Sequence, residues 1–297
     1  MIGMILNVKR FEIHDGPGMR TTLFLKGCPL RCKWCHNPES QRREAQLAFY
    51  RHKCVDCGAC AAVCPSGAQT LVDGVHRFDA EKCVACGKCV AACPKEALIL
   101  FGRTVSPLEI LPELLEDKVF FDGSGGGVTV SGGEPLMQPA FTAELFRLLR
   151  ENGVHTALDT CLYASREALD TVLPQTDLLL VDLKAIDPEV HKRCTGVSNE
   201  IILDNLRYVD RLGKPYEIRI PYIPGENDGE IEKIAAFIDT LKNADRVKLL
   251  AYHDLARTKY AALGEDYEMG DRKPPTAAEY EEKFALLAAH GIHAIHK

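Results

Sequence analysis

Long apolar runs are missing from this chain. No stretch of its 297 residues reaches the ~20 apolar residues of a membrane-spanning helix, so no membrane is expected as a partner. The N-terminal run MIGMILNVKRFEIHDG lacks the long apolar stretch of a secretion signal, and a cytoplasmic location is expected. A surplus of positive charge is missing too. Lys and Arg number 36 against 42 Asp and Glu, giving a net charge of −6. A sequence-independent nucleic-acid binder needs a basic face, so nucleic acid is not expected either. Cysteine, by contrast, is plentiful. Thirteen Cys in a small secreted chain would suggest disulfides. In a longer chain with no export signal they cluster at metal-ligand spacings, which reads as cytosolic metal binding. The length suffices for a large core and for two domains.

Cys28, Cys32 and Cys35 stand in GCPLRCKWCHNPES with spacing C-x3-C-x2-C. Three thiolates hold three irons of a [4Fe–4S] cubane, whereas a cluster used only for electron transfer normally has four Cys. The fourth iron is then open to an inner-sphere ligand, as in open catalytic metal sites. Zinc is the competing reading. Beyond Cys35 only the adjacent His36 offers a fourth ligand at close spacing.

A second segment is an internal repeat. Cys54, Cys57, Cys60 and Cys64 form C-x2-C-x2-C-x3-C followed by Pro65. Cys83, Cys86, Cys89 and Cys93 repeat the pattern, followed by Pro94. This is the bacterial two-cluster ferredoxin run, in which the fourth Cys of each run ligates the other cluster. One cluster would take Cys54, Cys57, Cys60 and Cys93, the other Cys83, Cys86, Cys89 and Cys64. Cys161 and Cys194 stand alone and read as packing residues.

The remainder alternates strands and helices. Strands are predicted at 21–25, 127–131, 155–159, 178–182, 217–220 and 247–252. Helices are predicted at 107–120, opened by Ser106-Pro107, and at 139–152, 165–173, 200–212, 229–242 and 277–290. Repeated βα units imply a parallel α/β sheet with right-handed crossovers. Six strands are too few for the eight of a closed barrel, so a partial, open (β/α)6 barrel is expected. It would comprise 1–47 and 103–297, with a ferredoxin-like insert at 48–102. The strand ends gather polar or Gly residues where chemistry collects in such folds. They lead into Cys28, Gly132-Gly133-Glu134, Asp159-Thr160, Asp182-Leu183-Lys184, Arg219 and His253. GSGGG at 123–127 is not a phosphate loop, because a strand follows it rather than a helix.

The string FEIHDGPGMRTTLFLKGCPLRCKWCHNPE resembles, nearly residue for residue, the start of radical S-adenosylmethionine (SAM) enzymes that activate glycyl radical enzymes. The resemblance implies that SAM chelates the open iron of the Cys28/Cys32/Cys35 cluster, with two further [4Fe–4S] clusters in the insert. It implies that Gly132, Gly133 and Glu134 receive the methionyl ammonium. Asp159, Asp182, Leu183 and Lys184 would lie near the methionine and ribose, with Lys184 toward the carboxylate. Asp159 and Asp182 could share a monovalent cation. Arg219 would oppose carboxylate charge, His253 would sit by the nucleoside, Trp34 beside adenine, and His36 would join the cofactor-binding group.

The function implied is reductive cleavage of SAM to methionine and a 5′-deoxyadenosyl radical, which takes a hydrogen from a glycine of a partner enzyme. The partners implied are that glycyl radical enzyme and an electron donor such as flavodoxin or ferredoxin. Two other readings are a radical SAM enzyme acting on a small molecule or another peptide, with auxiliary clusters, and an electron-transfer module.

Overall fold

Apolar residues recur at every second position in three strand regions: Leu23 and Leu25, Val128 and Val130, Ile218 and Ile220. All six are fully buried. A period of two places them on one face of a sheet. The alternate positions carry Thr22, Phe24, Thr129, Ser131, Glu217 and Arg219, so the opposite face is largely polar in these strands.

The computed structural model describes residues 1–295. Its strands are β1 (Gly3–Glu12), β2 (Arg20–Leu25), β3 (Gln46–Phe49), β4 (Gln69–Val72), β5 (Val75–Phe78), β6 (Leu98–Phe101), β7 (Arg103–Val105), β8 (Gly127–Gly132), β9 (His155–Thr160), β10 (Leu178–Asp182), β11 (Tyr216–Tyr222) and β12 (Ala244–Ala251). The main sheet has the order β12-β11-β10-β9-β8-β2-β1-β7. From β12 to β2 the neighbours are parallel, while β1 is antiparallel to both β2 and β7. Crossover helices Pro139–Glu151, Arg166–Val172, Glu200–Arg211 and Glu230–Ile238 cover the apolar face with Phe146, Leu149, Leu169, Leu206 and Ile234. Strands β12 and β7 end the sheet, and among the described residues no ladder joins them. The fold is a partial, open (β/α)6 barrel.

The six parallel strands match the expected series. Strands β1 and β7 were not expected, because the charged residues of LNVKRFE mask the alternation in β1. The helix expected over 107–120 is two helices, Pro107–Leu115 and Lys118–Ser124. Asp117 separates them. It is buried, accepts from Thr21 Oγ1 at 2.8 Å and Arg10 Nε at 2.7 Å, and so is held by tertiary contacts rather than by a helical turn. Helices Pro188–Thr195 and Arg257–Leu263 were also missed. The first carries a legible start: Asp187 caps it by accepting from the backbone of Glu189 and Val190, and Pro188 follows. In GSGGG, close packing explains Gly126 and Gly127, while Gly125 caps the preceding helix at φ 69°. A Cβ on Gly126 would stand 1.8 Å from the carbonyl oxygen of Met19.

Between β2 and β7 the chain forms a smaller cysteine-rich unit. Its edges β3 and β6 pair antiparallel, as do β4 and β5. Two five-residue helices, Ala59–Val63 and Lys88–Ala92, follow left-handed Gly58 and Gly87, both at φ 74°. The repeat seen in the sequence is therefore a repeat of backbone shape. Side chains alternate across β3. Leu47 and Phe49 pack with the cysteines, while Ala48 packs on Ala262 and Leu263 of helix Arg257–Leu263.

Candidate active site

Past β2 the chain turns at Gly27, whose N–H donates to Ser40 O at 2.7 Å, and enters the cysteine loop. That loop is held from both sides. Arg31 N–H donates to Thr195 O and Lys33 N–H to Cys194 O, at 2.7 and 3.0 Å, so the end of helix Pro188–Thr195 supports it. Lys259 Nζ donates to His36 O, Asn37 Oδ1 and Glu39 Oε1 at 2.8, 3.0 and 2.6 Å. Cys28, Cys32 and Cys35 then line one cleft of about 260 Å³ at the C-terminal ends of the parallel strands. Burial pushes the Cys28 thiol up to about 12 and raises Cys32 and Cys35 as well. A metal held here would take the place of those protons, as thiolate ligation requires.

The same cleft is lined by Trp34, His36, Gly132, Gly133, Asp159, Asp182, Lys184, Arg219 and His253. Lys184 Nζ lies 2.8 Å from Asp182 Oδ2. Burial lowers the pKa of this ammonium, but Asp182 and the Cys32 sulfur more than offset it, so that it is raised overall. Arg219 lies 3.5 Å from Asp159 and 3.2 Å from Glu217, and donates to His14 O at 2.8 Å. Burial raises the Asp159 carboxyl above its ordinary range, while Arg219 opposes the shift. Ser131 Oγ donates to Asp159 Oδ2 at 2.6 Å. Each carboxylate thus has a side-chain cation beside it. Trp34 packs on Cys194, Ile223, Tyr252 and Met269. His36 and His253 stack at 3.8 Å, with His36 Nε2–H donating to His253 O at 3.1 Å.

Two expected residues stand apart. Leu183 is buried behind the cleft, its N–H donating to Arg219 O at 2.8 Å. Glu134 is 1 % exposed and lies beneath the cleft lining, bonded to Thr160 and Cys161, which line it. Its Oε1 accepts from Leu136 N and Thr160 Oγ1 at 3.0 and 2.7 Å. Its Oε2 accepts from Cys161 N and Cys161 Sγ at 2.8 and 3.0 Å. Glu134 therefore ties the end of β8 to the end of β9 and leaves the Gly132-Gly133 backbone to face the cleft. A Cβ on Gly133 would meet Gly27 O at 2.2 Å, so only glycine permits this approach. Cys161, expected to be a packing residue, lines the cleft as a fourth sulfur, but Glu134 holds its thiol. Its place just after Asp159-Thr160 at a strand end was the signal available.

Replacing Glu134 with Ala strands several buried donors, at about 1–3 kcal/mol each. We expect a loss of about 3 kcal/mol in total. At roughly 2–4 °C per kcal/mol the anaerobic melting temperature should fall by about 6–12 °C. An unchanged melting temperature would show that Glu134 does not brace the two strand ends.

A second hollow, about 340 Å³, adjoins the cleft through His36, Ser131, Asp159 and His253 and opens past Lys9, Glu12, His14 and Asp15. In the smaller unit, Cys54, Cys57, Cys60 and Cys93 surround one void with Phe49 and Leu98. Cys64, Cys83, Cys86 and Cys89 surround another with Leu47. Four sulfurs around each void fit a cubane.

Residues 80–238 match the family model of the Radical SAM superfamily, and residues 47–94 match that of the 4Fe-4S dicluster domain. The chain is 42% identical to the (2S)-3-sulfopropanediol dehydratase activating enzyme of Klebsiella oxytoca, over 99% of this chain and 96% of that one. It is 44% identical to the (2S)-3-sulfopropanediol sulfolyase activating enzyme of Bilophila wadsworthia, over 90% of each. QueE from Escherichia coli shares the fold, with a TM-score of 0.51 at 14% identity over 100% of this chain and 94% of that one.

Proposed function

This chain belongs to the radical SAM enzymes that activate glycyl radical enzymes, and from that premise we propose that it installs the glycyl radical of a lyase or dehydratase. The observation that carries the reading is the meeting of three cysteines and a polar rim in one cleft, on a chain related over its whole length to such activators. When bound, SAM and the reduced cluster supply the one-electron cleavage that takes a hydrogen atom from a glycine Cα of the partner.

The residues then divide the work. Cys28, Cys32 and Cys35 would hold three irons. The Gly132-Gly133 backbone admits the methionyl ammonium, with Glu134 fixing it from behind. Lys184 meets the methionyl carboxylate. Trp34 and His253 flank the base, and Asp159, Asp182 and Arg219 hold polar groups of the nucleoside. The adjoining hollow at Glu12, His14 and Asp15 is where the partner's glycine segment would enter.

Residues 48–102 would act as a separate unit carrying two clusters, relaying electrons from a flavodoxin or ferredoxin. A cytoplasmic setting suits that chemistry, and among the described residues no helix is long and apolar enough to cross a membrane.

The test is anaerobic incubation with SAM, a reductant and candidate partner enzymes, read by electron paramagnetic resonance (EPR). A glycyl radical on one partner is the expected result. 5′-Deoxyadenosine formed without a radical on any partner would point to another substrate. Lys184→Ala should keep its iron and bind SAM about 10–100-fold more weakly, the loss of one charge-assisted hydrogen bond. Anaerobic isothermal titration measures it, and unchanged affinity would remove Lys184 from the SAM site.

A further inference from the structure

The two cysteine runs of the insert are repeats, yet one buried pair of side chains joins their cages. Gln69 on β4 and His76 on β5 are 2 % and 3 % exposed. His76 Nε2–H donates to Gln69 Oε1 at 2.6 Å. With that oxygen engaged, the Gln69 amide nitrogen donates to Cys89 Sγ at 3.7 Å. The other ring nitrogen, Nδ1, faces Cys54 Sγ at 3.7 Å. Cys54 lines one cage and Cys89 the other.

The imidazole is fixed in place. Its own backbone N–H donates to Asp56 Oδ1 at 2.8 Å, Arg51 donates to both Asp56 oxygens, and Phe49 packs edge-on at 4.5 Å. In the second run Ala85 stands where the first has Asp56, so this anchor is not duplicated.

We propose that Gln69, by donating to the Cys89 sulfur, sets the potential of the cluster in that cage, and that His76, which reaches Gln69 from beside the other cage, acts through it as a positioning residue. The proposal rests on the reading that each cage holds a [4Fe–4S] cluster. A cluster gains one negative charge when it takes an electron, and no bond forms or breaks. A donor to a ligating sulfur stabilises that reduced form and raises the potential. His76 holds the Gln69 carbonyl, which leaves the amide N–H pointing at Cys89 rather than free to flip.

The experiment is an EPR-monitored redox titration of the full-length, reconstituted protein, after iron and sulfide analysis. Gln69→Leu should lower the reduced-to-oxidised ratio of one insert cluster about tenfold at a given potential, which is ~59 mV for a one-electron couple. His76→Leu should reproduce that shift. The double variant should add little to either, because both act through one contact. His76→Gln, which keeps a donor for the Gln69 carbonyl, should recover most of it. Gln69→Glu replaces the donor by a carboxylate and should move the potential at least as far while both clusters load. Unmoved potentials in fully loaded variants overturn the proposal, as do fully additive shifts. An insert that takes up no iron overturns instead the reading on which the proposal rests.

Discussion

Replacing Cys28, Cys32 and Cys35 together with Ala should lower the iron content of the reconstituted protein from about 12 to about 8 atoms per chain. The same variant should form no glycyl radical. The separation follows from where the sulfurs lie. The three cleft cysteines share no void with the eight of the insert, whose cages are closed by Phe49, Leu98 and Leu47. On the other face of β3, Ala48 packs on Ala262 and Leu263 of helix Arg257–Leu263. Iron and sulfide assays, with EPR of the reduced protein, measure the outcome. Loss of all the iron would mean that the insert cages depend on the cleft for assembly.

The second large effect concerns the insert. Cys57 and Cys86 are the exposed cysteines of the insert cages, one in each. Changing both to Ala should slow SAM cleavage strongly when a protein reductant is used. A strong chemical reductant that reaches the cleft directly should largely bypass the defect. Four-Cys clusters without an open iron are suited to passing electrons. If the insert serves the partner interface instead, SAM cleavage will survive with either reductant while radical formation falls. Equal loss with every reductant would indicate misfolding, because cluster binding and folding are coupled in small domains. Normal activity in a folded double variant would exclude both roles.

Much of this was legible in the residues. The six parallel strands could be read because their apolar periods are clean, and the cysteine runs could be read because ligand spacing is local. The rest depended on contacts far apart in sequence. The charged N-terminal strand pairs with β2 and β7 across the insert, and no local pattern announces that. The break at Asp117 comes from Arg10 and Thr21, both about a hundred residues away. Glu134 is the clearest case. Its place in SGGEP marks it as part of the site, but only the positions of Thr160 and Cys161 reveal that its carboxylate is spent on bracing the end of β9. The hydrogen bond from His76 to Gln69 was equally silent, since neither residue stands at a ligand position.

The ladder Gln46↔Phe101 that closes the insert bears on how such a chain can change length. Residues paired across antiparallel strands have Cα atoms about 4.5–5.5 Å apart. The chain therefore leaves the barrel and returns to it almost at one point. A short turn could bridge that point without moving β2 or β7. Loop closure changes slowly with loop length, each doubling costing only ~0.6 kcal/mol. To the barrel, then, the fifty-odd intervening residues are a decoration on a turn. Shortening them would leave the ends of β2 and β7 where they are, and what the barrel itself would lose is the packing of Ala48 on helix Arg257–Leu263.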